Sequence, residues 1–162
     1  MQIQLSSPMR REMTAELMRR IERSLREFPE LSNQTITIGV NRSAALHGSA
    51  EARNMTIRVN PRLKGGVTYA TIGHELTHLL QKPGLGIVPY GEEQCDIWTL
   101  ARSDLFLDDR PFYLCSHLWK KKNWPAHANA VRSLCVEAIR VRQTNRQYKV
   151  WLEQAIEKLI QG

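Results

Sequence analysis

The stretch GHELTHLL, residues 73–80, sets two histidines four residues apart, with a glutamate directly after the first. On an α-helix, residues four apart share a face, so His74 and His78 can offer two imidazole nitrogens to one metal ion. Glu75 then points about a quarter turn away. A water on that metal would lie beside the Glu75 carboxylate. This arrangement performs metal-assisted hydrolysis: zinc acidifies the water, the glutamate takes its proton, and the hydroxide attacks a polarised carbonyl. From the His and Glu content of the chain, the pattern is expected about 0.01 times by chance. A histidine pair on a helix also serves as surface polarity or as a hydrogen-bonded core pair, so the surrounding sequence has to carry the metal reading.

Working outward, Thr68 is placed to cap this helix, Ala70, Leu76, Leu79 and Leu80 form its buried side, and KPG at 82–84 ends it. A loop punctuated by glycine and proline, PGLGIVPYG at 83–91, leads to a second amphipathic helix, EEQCDIWTLARSDLF at 92–106. A catalytic zinc usually has three protein ligands and one open position, so a third ligand is sought at the start of that helix. Glu92 and Asp96, four apart, share a face, while Glu93 lies about 100° away. The spacing assigns Glu92 as third ligand and Asp96 as acceptor of a hydrogen bond from the free nitrogen of a metal-bound histidine. Glu93 is the alternative ligand, and both glutamates also suit a helix N-terminus without any metal.

Upstream, SSPMRREMTAELMRRIERSLREF at 6–28 reads as one helix, with Ser7 capping, Pro8 in the first turn, and an apolar stripe of Met9, Met13, Leu17, Ile21, Leu25 and Phe28. QTITIGV at 34–40 and NMTIRV at 54–59 read as β-strands, and the segment between them, 41–53, as turns with room for a short or irregular strand. From about 125 to 162 the chain reads as one or two helices. Val131, Leu134, Cys135, Ala138 and Ile139 form one stripe, and Trp151, Leu152, Ile156, Leu159 and Ile160 another. The expected class is therefore α+β, as one domain over 1–162.

The 162 residues, 42% of them apolar, can bury a sizeable core. No apolar run approaches the roughly 18 residues of a membrane span and the first residues carry no signal segment, so a soluble, cytoplasmic protein without membrane contact is expected. Cys95, Cys115 and Cys135 lie twenty apart without C-x-x-C spacing and read as reduced, buried small hydrophobes. The net charge of +7 is concentrated at the C-terminal end, where residues 120–162 carry nine Lys/Arg against three Asp/Glu. WKKKNW at 119–124, with Arg132, Arg140, Arg142, Arg146 and Lys149, reads either as solvated helix faces or as a surface for nucleic-acid phosphates.

HELTH followed by EEQCD resembles the H-E-x-x-H and E-x-x-x-D pair of gluzincins, zinc peptidases with a glutamate third ligand. The resemblance implies His74 and His78 as zinc ligands, Glu75 as general base and acid, Glu92 as third ligand and Asp96 as the supporting carboxylate. The order of helix, short strands, motif helix and glutamate helix is also similar to the compact catalytic scaffold of minigluzincins and other small zincins. This implies a short twisted sheet, a peptide or protein substrate, and a Zn2+ cofactor. About thirty residues, 70–101, carry the likeness. Thirteen residues separate His78 from Glu92, fewer than expected for thermolysin-like gluzincins, which leaves Glu93 and Asp96 as alternative ligands. A metzincin would need glycine at 81 and histidine at 84, where this chain has Gln81 and Gly84.

Hydrolysis by such a site also needs a donor for the developing oxyanion, for which Tyr90, Tyr113, His117 and His127 are candidates. An extended substrate would pair with an edge strand beside the motif helix, expected at 52–60. His47 reads as a surface residue. Two alternatives stand beside the peptidase: a SprT-like, DNA-associated protease with His117 or His127 as third ligand, and a non-catalytic zinc or basic helical module binding nucleic acid or a protein partner. A structural zinc would be closed by four protein ligands, and the sequence offers no obvious fourth.

Overall fold

The computed structural model describes residues 2–43 and 46–161; Met1, Ala44, Ala45 and Gly162, which fall within the expected domain and the expected loop at 41–53, lie outside the described residues. The fold is α+β, with six α-helices and a four-stranded mixed sheet among the described residues. The strands are β1 (Gln2–Leu5), β2 (Thr35–Val40), β3 (Gly48–Glu51) and β4 (Thr56–Val59), in the order β1-β2-β4-β3. β1, β2 and β4 run parallel, and β3 lies antiparallel to β4 with Ala50 opposite Ile57.

β2 buries Ile36 and Ile38 and turns its threonines outward, the period-2 signature that made it legible. β1 was not anticipated, although Gln-Ile-Gln-Leu alternates in the same way; it pairs Ile3 with Ile36 and Leu5 with Ile38. The expected edge strand at 52–60 requires correction. Its strand, β4, follows a 3-10 turn at Ala52–Asn54 and lies between β2 and β3, with Ile57 and Val59 fully buried, and the sheet edge beside the motif helix is β3. GSAE has little β propensity of its own and is held by its ladder to β4.

The expected first helix is two: α1 (Ser7–Glu12) and α2 (Ala15–Arg26). Met13 is extended, and the Thr14 hydroxyl accepts from the Leu17 N–H at 3.1 Å, starting a new helix within the apolar stripe. Ser6 rather than Ser7 caps α1. α2 then buries Leu17, Ile21 and Leu25 against the motif helix α3 (Tyr69–Leu79) and the sheet, in a core that includes Phe28, Ile72, Leu76 and Leu79.

Past the loop, α4 (Glu92–Arg102) packs along α3. Gly73 allows the close approach: a Cβ there would stand 2.6 Å from the Phe106 ring and 2.8 Å from Thr99 Cγ2. Across the same contact Thr77 and Thr99 hydroxyls hydrogen-bond at 2.8 Å. α4 ends at Arg102, where Ser103 turns extended and caps a 3-10 turn, so the helix is shorter than the apolar pattern suggested. Its outer face, with Ile97 and Leu100, meets α5 (Trp124–Val141) and α6 (Tyr148–Gln161) in a second apolar cluster, and Trp98 packs against both cores. Among the described residues no helix is long and apolar enough to cross a membrane.

Candidate metal centre

α3 is capped at both levels of its first turn. Thr68 Oγ1 accepts from Thr71 N at 3.1 Å, and Asp108 accepts from Tyr69 N and Ala70 N, each at 2.8 Å. So anchored, the helix presents His74 and His78 on one face, with ring centroids 4.9 Å apart. Glu92 stands at the first position of α4, opposite both. Its Oε2 lies 3.1 Å from His74 Nε2 and 3.0 Å from His78 Nε2. Two imidazoles and one carboxylate thus bring three donor atoms to one point.

The far side of each ring is also occupied. His74 Nδ1 is 2.8 Å from Asp96 Oδ1. The other oxygen of Asp96 accepts from Tyr113 N at 2.6 Å and Leu114 N at 2.9 Å, so one buried carboxylate orients the histidine and pins the 113–114 backbone. Tyr113 stacks on His74 with ring centroids 5.6 Å apart. His78 Nδ1 lies 2.9 Å from Gln81 Oε1, and the Gln81 amide donates to the carbonyls of Pro89 and Gly91, tying the loop to the start of α4.

The two acidic neighbours at 92 and 93 part company. Glu93 reaches over to α6 and pairs with Lys149 at 2.5 Å. His117 lies in the 3-10 turn Ser116–Leu118, and His127 sits beside Trp119; neither lines the cavity at the centre. Cys95 is nearer: its thiol is 3.2 Å from His78 Nδ1, and His74, His78 and Cys95 also place ligand atoms within 4.8 Å of one another. Glu92 is the better third donor on chemical grounds. It meets the Nε2 side of both rings and opens on the cavity, whereas Cys95 meets the Nδ1 side of His78, away from that point. Burial, with Glu92 and Asp96 adding to it, also pushes the Cys95 thiol far above the usual range. All three cysteines are free and buried.

The electrostatics follow from burial and this wiring. Burial pulls the His74 imidazolium down, but hydrogen bonds to Asp96 and Glu92 outweigh it and raise its pKa to about 10. The His74 hydrogen bond, against partial burial, holds Glu92 below the ordinary carboxylate value. Among the described residues Glu75 has no such partner; burial, opposed by His74 and assisted by Glu92, raises it to about 7.

His74, His78, Glu92 and Glu75 open together on a cavity of about 680 Å³. Its opposite wall is β3, where Gly48 packs so closely on Glu75 that a Cβ would stand 2.5 Å from Oε1. Tyr90, 92% exposed, and Tyr113 are the oxyanion candidates that reach this cavity. So does His47, read from sequence as surface; it lies at the rim with its ring edge-on to Phe112 at 5.1 Å. His47, Arg110 and Phe112 were not anticipated, because they reach the site through chain returns with no local motif. No protein-family model matches this chain, and neither curated proteins nor solved structures give a significant match to it.

Proposed function

We propose that the chain is a zinc-dependent peptide hydrolase on a small zincin-like scaffold of gluzincin type, with His74, His78 and Glu92 holding the metal. The observation that carries this reading is the meeting of both Nε2 atoms and Glu92 Oε2 at 3.0–3.1 Å beside a cavity that also receives Glu75. The donor set suits zinc. Donors about 2.1 Å from a tetrahedral zinc stand roughly 3.4 Å apart, near the separations found here. Asp96 and Gln81 fix the tautomers by engaging the opposite nitrogens, as ligating histidines require.

When bound, zinc would supply Lewis acidity, bringing a water into the neutral titration range and polarising a substrate carbonyl. The chain's own part falls first to Glu75. Its carboxylate faces the cavity, titrates near neutrality and accepts the proton of the attacking water, then returns it to the leaving amine. Gly48 leaves the room that this side chain occupies. The free edge of β3 offers backbone groups to an extended peptide laid along the cavity. Tyr113, stacked on His74, and His47 line the cavity and can serve as donors for the oxyanion.

The test is digestion of a synthetic peptide library by the zinc-loaded chain and by Glu75→Gln. We expect cleavage by the first, and a loss of roughly 100-fold or more in the second with zinc retained. Equal cleavage by both would overturn the assignment of Glu75.

A further inference from the structure

Among the described residues, Arg110 is the one lysine or arginine that lines the cavity. Its guanidinium has no hydrogen-bond or ion-pair partner among the described residues, whereas Arg58, Arg62 and Arg102 pair with Glu51, Glu12 and Glu30 at 2.7–3.1 Å. Of the two carboxylates on the same cavity, Glu92 lies between the histidines and Glu75 packs on Gly48, and neither pairs with Arg110. Arg110 is partly exposed, so its charge is met by water or by an anionic ligand that enters the cavity.

The backbone that carries Arg110 is stiff. Its N–H donates to the buried Asp109 carboxylate at 2.9 Å, Pro111 confines it to extended conformations, and Asp96 fixes residues 113 and 114. The backbone of Arg110 therefore stands on a set wall, together with Phe112 and Tyr113. Leu46, also on the cavity, leaves about half of its apolar surface open to solvent.

We propose that Arg110 is a specificity-determining residue that pairs with a substrate carboxylate, so that the cleft takes acidic peptides. The carboxylate comes from a Glu or Asp side chain or from the peptide C-terminus, both of which fit the planar fork of the guanidinium. The proposal rests on the peptidase reading above and names its substrate class.

The experiment uses the zinc-loaded full chain and paired synthetic peptides that differ by Glu against Gln at one position, each made with a free and with an amidated C-terminus. Cleavage is followed by mass spectrometry. We expect kcat/KM to favour the acid over the amide by roughly tenfold or more, and Arg110→Gln to bring that ratio toward one. A preference carried by internal Glu assigns the side chain, and one carried by the free C-terminus assigns the terminal carboxylate; either supports the proposal. Equal cleavage of acid and amide by the native chain overturns it and leaves the peptidase reading standing. That comparison decides the matter even if Arg110→Gln fails to fold.

Binding of fluorescein-labelled acidic and amide peptides to Glu75→Gln separates the two claims. Acid-selective binding that Arg110→Gln abolishes, with no cleavage by the native chain, upholds carboxylate recognition and removes the peptidase reading. Neither cleavage nor acid-selective binding overturns both.

Discussion

Glu92 and Glu93 are identical in composition and adjacent in sequence, yet one faces the histidines and the other faces Lys149. The 100° step of the helix makes the difference. Replacing Glu92 by alanine should remove one of three donors and abolish tight zinc binding, while Glu93→Ala should leave it intact and cost at most about 1 kcal/mol of stability, its ion pair being exposed. Zinc titration with a chromogenic competitor reads both. Asp96→Asn should weaken zinc roughly 10- to 100-fold, because it disturbs the tautomer of His74 without touching the ion. Gly73→Ala is predicted to destabilise the chain by about 1–3 kcal/mol in denaturant melts, since its Cβ would meet the Phe106 ring at 2.6 Å. An unchanged midpoint would mean that α3 and α4 can separate at no cost.

At the scale of elements, what could be read from sequence was what local patterns specify. The motif helix, its Thr68 cap and the start of α4 all follow from turn chemistry and 3.6-residue periodicity, and the structure brings His74, His78, Glu92 and Asp96 together where these two helices meet. The misreadings concern pairing over distance. Nothing in NMTIRV says that GSAE will lie outside it, and a strand of Gly, Ser, Ala and Glu has no pattern to announce itself. Likewise Arg110 and Phe112 reach the cavity on a segment that Asp96 ties down at Tyr113 and Leu114. The break between α1 and α2 was legible in principle, since Thr14 is a good N-cap residue inside the apolar stripe and Glu16 suits the first turn of a new helix. Thr14→Ala should cost about 1 kcal/mol in thermal or chemical unfolding, whereas a mid-helix threonine would gain slightly from alanine.

For the whole molecule, the buried ionisable groups set the pH dependence. Glu75 rises from 4.5 to about 7 on folding and His74 from 6.5 to about 10, so the chelated folded chain holds more protons than the unfolded one. A raised folded-state pKa gives stability that is full below the unfolded pKa and is lost as pH rises through the folded one. The Tm of the chelated protein should therefore fall between about pH 4.5 and 7 through Glu75, and between 6.5 and 10 through His74. Zinc takes deprotonated histidines, so the Tm gap between zinc-loaded and chelated protein should widen with pH. A gap constant from pH 5 to 9 would count against histidine ligation. The run Lys120–Lys122 is exposed at the turn before α5, apart from the cavity. The C-terminal helices instead contribute the second apolar cluster and the Glu93 partner, and Tyr148 donates a hydrogen bond to Gln94 of α4, which braces the helix that carries Glu92.

The most direct measurement is zinc stoichiometry by native mass spectrometry of the purified chain alongside Glu92→Ala, Glu93→Ala and Cys95→Ala. The account predicts one zinc per chain in the native protein, Glu93→Ala and Cys95→Ala, and its loss in Glu92→Ala. No zinc in the native chain after zinc addition, or zinc kept without Glu92 and lost without Cys95, would contradict it.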